Sequence, residues 1–152
     1  MILYLDSSAI VKHYVAELGS AEIQSAAEES EVNGTAVVSR AEVTAALGKA
    51  VRTGILTERD ATSAVRSFDR AWPALVRTRV TERLIKHAAT LAWAHGLRGY
   101  HAVHLASAAA WQQALGRAVT VATFDRAMWT AAAKIGLGIF PSDPPSLLPT
   151  RR

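Results

Sequence analysis

The chain has 152 residues, 50% hydrophobic and 20% charged, which is enough apolar material for one domain with a buried core and too much for a disordered chain. Seventeen Lys and Arg outnumber 13 Asp and Glu, and 13 of those cations are Arg, whose planar fork suits phosphate, so a polyanionic substrate or an acidic partner fits. The absence of cysteine excludes disulfides, thiolate metal sites and Cys nucleophiles. No apolar run approaches the ~20 residues of a membrane span, and MILYLDSSAIVKHY lacks a signal peptide's basic start, so the expectation is a cytoplasmic domain with no membrane attachment.

Ile2 to Leu5 is a short continuous apolar run, the pattern of a strand buried on both faces of a parallel sheet. Asp6-Ser7-Ser8 caps a helix predicted over Ala9 to Ala16, and a second helix is predicted from Ser20 to about Glu31. Asn33-Gly34 reads as a turn and Thr35 to Val38 as a β-branched strand. Ser39 is the expected cap of a helix over Arg40 to Arg52, which places Glu42 at its third position, and Thr53-Gly54 stops it. Thr57-Glu58-Arg59-Asp60 opens a helix that ends before Pro73. Leu75 to Val80, with Arg77 and Arg79 in alternation, reads as an edge strand with one wet face. Helices are expected over Thr81 to Ala94 and Gly99 to Leu115, closed by Gly96 and Gly116. Ala118 to Ala122 is a further apolar strand, a helix follows Thr123-Phe124-Asp125 to about Lys134, and Gly138 to Phe140 reads as a last short strand. Four of the five prolines fall in PSDPPSLLPTRR, so residues 1–140 are expected as the domain and 141–152 as an irregular tail. Strands alternating with helices specify an α/β fold with a mainly parallel sheet, in which ligands bind at the carboxyl ends of the strands near the switch in strand order.

Two of the five Asp, Asp6 and Asp125, stand directly between an apolar strand and a helix, and Glu42 lies in the first turn of the helix after Thr35 to Val38. Taken singly, each is explained by the helix dipole or by a capping box between Ser39 and Glu42. Together they place three carboxylates from three segments at one sheet edge. Like charges so gathered raise each other's pKa, and a divalent cation removes that cost. All-oxygen ligands select Mg²⁺ or Mn²⁺, so metal-activated water attacking a phosphodiester fits the set.

The segments MILYLDSSAIVKHY, SRAEVTAAL, GLRGYHAVHLASA and VTVATFDRAMWTAA, in this order, resemble the PIN-domain family, specifically VapC-type toxins of bacterial toxin–antitoxin pairs; the resemblance spans about Ile2 to Phe140. It implies a three-layer α/β/α fold with a central sheet of four to five strands. It also implies a ribonuclease dependent on Mg²⁺ or Mn²⁺ that is homodimeric and silenced by a cognate antitoxin. Carried over by position, Asp6, Glu42 and Asp125 are the metal-binding and catalytic acids. Ser8 and Thr123 are hydroxyl residues that support the acids and bound water.

One position departs from the resemblance: His101, in Tyr100-His101-Ala102-Val103-His104, stands where the family usually has a metal-binding Asp. Three readings compete. His101 disarms a lethal nuclease, whether by engineering or by selection; or it marks a naturally inactive member; or it is a working ligand that shifts preference toward Mn²⁺ or Zn²⁺. His104 is expected to pack or hydrogen-bond in the core. The rival to an active ribonuclease is therefore an inactive PIN module that binds antitoxin or RNA without cleaving. A response-regulator-like receiver needs a Lys after a late strand, and no Lys lies between Lys86 and Lys134. Lys12, Arg40, Arg98 and Arg126 lie near the acidic edge and are candidates for RNA phosphate contacts. The four Trp suit core or dimer packing better than base stacking.

Overall fold

The structure, a computed structural model, describes residues 1–145. Among them are five strands, β1 (Ile2–Leu5), β2 (Val32–Ala36), β3 (Val76–Thr78), β4 (Val119–Ala122) and β5 (Gly138–Phe140). Seven α-helices accompany them: α1 (Ser7–Tyr14), α2 (Ser20–Glu28), α3 (Ser39–Arg52), α4 (Glu58–Ala71), α5 (Glu82–His95), α6 (Gly99–Leu115) and α7 (Arg126–Lys134). One 3₁₀ turn, Trp72–Ala74, holds Pro73 and leads into β3.

All strand pairs are parallel, in the order β3-β2-β1-β4-β5. The apolar run Ile2–Leu5 takes the centre, where every residue is buried. Alternation along it divides the core. Leu3 and Leu5 pack with α1 to α4 through Ile10, Ile23, Val43, Leu47 and Phe68. Ile2 and Tyr4 pack with α5 to α7 through Leu91, Leu105, Trp111 and Met128. The result is the expected three-layer α/β/α architecture. The order switches at β1, whose neighbours are β2 on one side and β4 on the other, so the carboxyl ends of β1 and β4 flank the crevice where such sheets bind ligands.

The helix starts explain most of the local agreement. Asp6, Thr57, Thr81 and Asp125 each accept a hydrogen bond from a backbone N–H three residues on. Because Asp6 itself is the cap, α1 begins at Ser7, two residues before the expected Ala9. Gly96 and Gly116 end α5 and α6 in the left-handed region, φ 63° and 62°.

Two expectations are corrected. Asn33 and Gly34 are not a turn but the middle of β2, and that strand ends at Ala36 rather than Val38. Gly34 pairs with Tyr4 and Val76, and a Cβ there would lie 2.6 Å from the Trp111 ring, so glycine serves close approach rather than chain reversal. Ser39 is not the cap of α3 but its first residue, after Val38. The Thr35 hydroxyl donates to the Leu5 carbonyl at 2.7 Å, and Ser39 donates to Thr35 at 2.6 Å. Glu42 therefore sits one place deeper than a capping box requires. Residues 141–145 form no helix or strand, while 146–152 of the expected tail lie outside the described residues. No described helix is long and apolar enough to cross a membrane.

Candidate active site

The loop after β4 is sewn onto the end of β1. Asp6 is 1% exposed, and its carboxylate receives three internal donors: Ser8 Oγ at 2.6 Å and the Ala9 N–H at 2.8 Å on Oδ1, and Thr123 Oγ1 on Oδ2. The same two hydroxyls accept from the loop after β4, Ser8 across to it from the Phe124 N–H at 3.0 Å and Thr123 within it from the Asp125 N–H at 3.1 Å. Ser8 and Thr123 thus hold Asp6 and fix Asp125 beside it. Asp125 Oδ1 caps α7 through the Met128 N–H at 2.8 Å.

Glu42 arrives from the other side, on the first turn of α3. Its Oε1 accepts from Ser7 Oγ at 2.9 Å and lies 2.7 Å from Nε2 of His104. Burial pushes the Glu42 carboxyl up, but the hydrogen bonds from His104 and Ser7 and the nearby His101 outweigh it and hold the group below its ordinary range. His104 is buried, and its Nδ1 meets the Tyr4 hydroxyl at 2.8 Å. One turn earlier on α6, the partly exposed His101 places Nδ1 3.5 Å from Asp125 Oδ1. The two histidines therefore face different acids, His104 toward Glu42 and His101 toward Asp125.

The sequence-derived residues Asp6, Glu42, Asp125 and His101 all lie at this one carboxyl edge. Ser7 and Tyr4 were not anticipated. Their partners lie 35 and 100 residues away, so no local pattern marks them. Of the four basic candidates, Lys12 bonds the Leu18 carbonyl at 2.8 Å and lies over the Phe124 ring. Arg40 pairs with Asp69 at 3.2 Å, with both side chains exposed. Trp111 is buried as expected, whereas Trp93 is 93% exposed.

The donor chemistry fits a hard cation. Glu42 Oε2 and Asp125 Oδ2 have no hydrogen-bond partner among the described residues, which leaves one carboxylate oxygen on each. No group of three or more His, Asp or Glu forms a ready cage among the described residues. The fit is therefore to an ion held by one or two carboxylates with water completing the shell, the habit of Mg²⁺.

No family model matches the sequence. Two curated relatives do: Ribonuclease VapC45 of Mycobacterium tuberculosis strain CDC 1551 / Oshkosh and Ribonuclease VapC49 of strain ATCC 25618 / H37Rv. Each is 35% identical over 141 residues, 93% of this chain and 96% of theirs. This chain belongs to the VapC ribonuclease family. The VapC assignment agrees with the fold. VapC20 of M. tuberculosis, described as a sarcin-ricin loop cleaving toxin, superposes with a TM-score of 0.62 at 16% identity, over 89% of this chain and 95% of that one. A toxin–antitoxin complex from Klebsiella pneumoniae gives 0.61 at 14% identity, over 91% and 95%. These structural neighbours establish a PIN-domain fold for this VapC-family chain.

Proposed function

We propose that this VapC-family chain is the toxin of a toxin–antitoxin pair and a metal-dependent endoribonuclease. Glu42 and Asp125 are the acids that offer an oxygen to Mg²⁺ or Mn²⁺, Asp6 is the third acid of the site beside them, and His101 stands at the place of a fourth. One observation carries the reading: at the switch point of the sheet, Glu42 and Asp125 each keep a free carboxylate oxygen on the edge where Asp6 is pinned by Ser8, Ala9 and Thr123. When bound, the ion supplies an activated water and neutralises charge on the phosphate under attack. The chain's own residues do the arranging. Ser8 and Thr123 fix the Asp6 carboxylate and the loop bearing Asp125, and Ser7 holds Glu42 in place. Arg98, the N-cap residue of α6, and Arg126, the first residue of α7, are the candidates to meet RNA phosphates.

The relatives' name and the complexes among the structural neighbours support an antitoxin as partner. The resemblance supports a homodimer. The apolar groove between α5 and α6, lined by Ile85, Ala92, Tyr100 and Val103, adds a surface suited to subunit contact. Light scattering tests the dimer, and a native pull-down tests the antitoxin.

A second reading is favoured by the 3.5 Å approach of His101 to Asp125. The ring there supplies no hard anionic oxygen and suits Mg²⁺ poorly, leaving an inactive module that binds antitoxin or RNA. Incubating the protein with single-stranded RNA in Mg²⁺, in Mn²⁺ and in chelator separates the two. Metal-dependent cleavage that Asp6→Asn abolishes supports the enzyme. RNA or antitoxin binding with no cleavage in either metal supports the inactive module.

A further inference from the structure

The Tyr4–His104–Glu42 chain joins the central strand, α6 and α3 through one imidazole. His104 is 1% exposed and both its ring nitrogens are engaged, Nδ1 with the Tyr4 hydroxyl at 2.8 Å and Nε2 with Glu42 Oε1 at 2.7 Å. A carboxylate is an acceptor only, so the ring must present N–H at Nε2. Tyr4 is fully buried, and a phenol is an O–H at the neutral pH of the test. In a neutral ring that O–H donates to Nδ1, and the ring is held in its Nε2–H tautomer. In the other tautomer the Nε2 lone pair faces the Glu42 carboxylate, which repels it.

We propose that Tyr4 and His104 are positioning residues. Tyr4 fixes the nitrogen of His104 that carries the proton, and His104 in turn pins Glu42 by Oε1, so that Oε2 is the oxygen turned toward the cation. The last step rests on the metal reading above; the tautomer and the pinning do not. Glu42 is on the flexible end of a long side chain, and two donors on one of its oxygens, His104 and Ser7, remove the rotamer freedom that otherwise blurs where its second oxygen points. The arrangement matches a general habit of metal sites, where partners that never touch the ion orient the groups that do.

The test uses the full chain with ¹⁵N-labelled histidine at one neutral pH. In wild type the His104 ring shows the Nε2–H pattern. In Tyr4→Phe it shows a mixture of tautomers. Mn²⁺ affinity is titrated on the same samples. His104→Leu lowers it by at least about tenfold. His104→Gln, whose amide N–H reaches the same oxygen, restores most of that loss. Urea unfolding of the Leu and Gln variants separates positioning from stability, since both lose the Tyr4 partner. A wild-type ring with the proton on Nδ1, an unchanged ring in Tyr4→Phe, or wild-type Mn²⁺ affinity in His104→Leu overturns the proposal. A wild-type protein that binds no Mn²⁺ overturns the metal reading and the role given to Oε2, while the spectra still decide whether Tyr4 sets the tautomer.

Discussion

Thr123 and Asp6 stand 117 residues apart in the chain and share a buried hydrogen bond at the mouth of the β1–β4 crevice. The same hydroxyl accepts from the Asp125 N–H, so one side chain ties two of the three acids together. Thr123→Val keeps the shape and removes both bonds. Loss of a hydrogen bond to a buried charged group costs about 2 to 3 kcal/mol. Urea unfolding should show a loss of that size, against under about 0.5 kcal/mol for Thr130→Val, an exposed helix position.

His101→Asp should raise Mg²⁺ affinity at least tenfold, roughly 1.4 kcal/mol or more, because it replaces a ring that suits Mg²⁺ poorly with a hard anionic oxygen. The same change sets a like charge beside Asp125 at the 3.5 Å contact, so the metal-free variant should melt below wild type and recover in Mg²⁺. Mg²⁺ and Mn²⁺ titrations, melting curves and RNA cleavage on both proteins check it. Equal cleavage by the two makes His101 a working ligand.

Gly34→Ala should destabilise by about 1 to 3 kcal/mol, the usual cost of overpacking a tight core. The new methyl meets the Trp111 ring at 2.6 Å and the Val76 carbonyl at 3.1 Å. Denaturant midpoints measure the loss, and Gly54→Ala is the wrong control because φ there is 74°. Gly99→Ala, where nothing lies within 4 Å, should be near neutral.

Asn33-Gly34 shows where sequence reading fails on this chain. The dipeptide is a strong turn signal by local preference, and the reason for the glycine is a Trp ring 77 residues later, visible only once the sheet is packed. Asp6 and Asp125 were legible because an acid between an apolar run and a helix is a local pattern, and their capping role is local too. That they also converge followed from the parallel sheet. The division of labour between His101 and His104 was not legible, since it depends on which acid each ring meets across α6, α3 and α7.

His13 should give stability an acid-side slope. Burial pushes its ring below the ordinary value of 6.5, partly opposed by the charge of Glu28, so the folded state resists its protonation. The unfolded chain binds the proton more readily. The contribution is therefore complete above pH 6.5 and is lost as pH falls through that value toward the lower folded pKa. Urea midpoints of wild type and His13→Gln across pH 7.5 to about 5.5 should converge at the acid end, with the variant showing the flatter profile.

The strand order has a consequence for how the chain comes to be finished. β1 is the earliest strand in the sequence yet lies at the centre of the sheet, and one of its two edges stays open until Val119–Ala122 arrives. A growing chain on the ribosome therefore carries Asp6 and Glu42 long before Thr123 and Asp125 exist. The crevice closes only once Val119–Ala122 and the loop after it have been made. Synthesis order itself delays completion of the acidic edge.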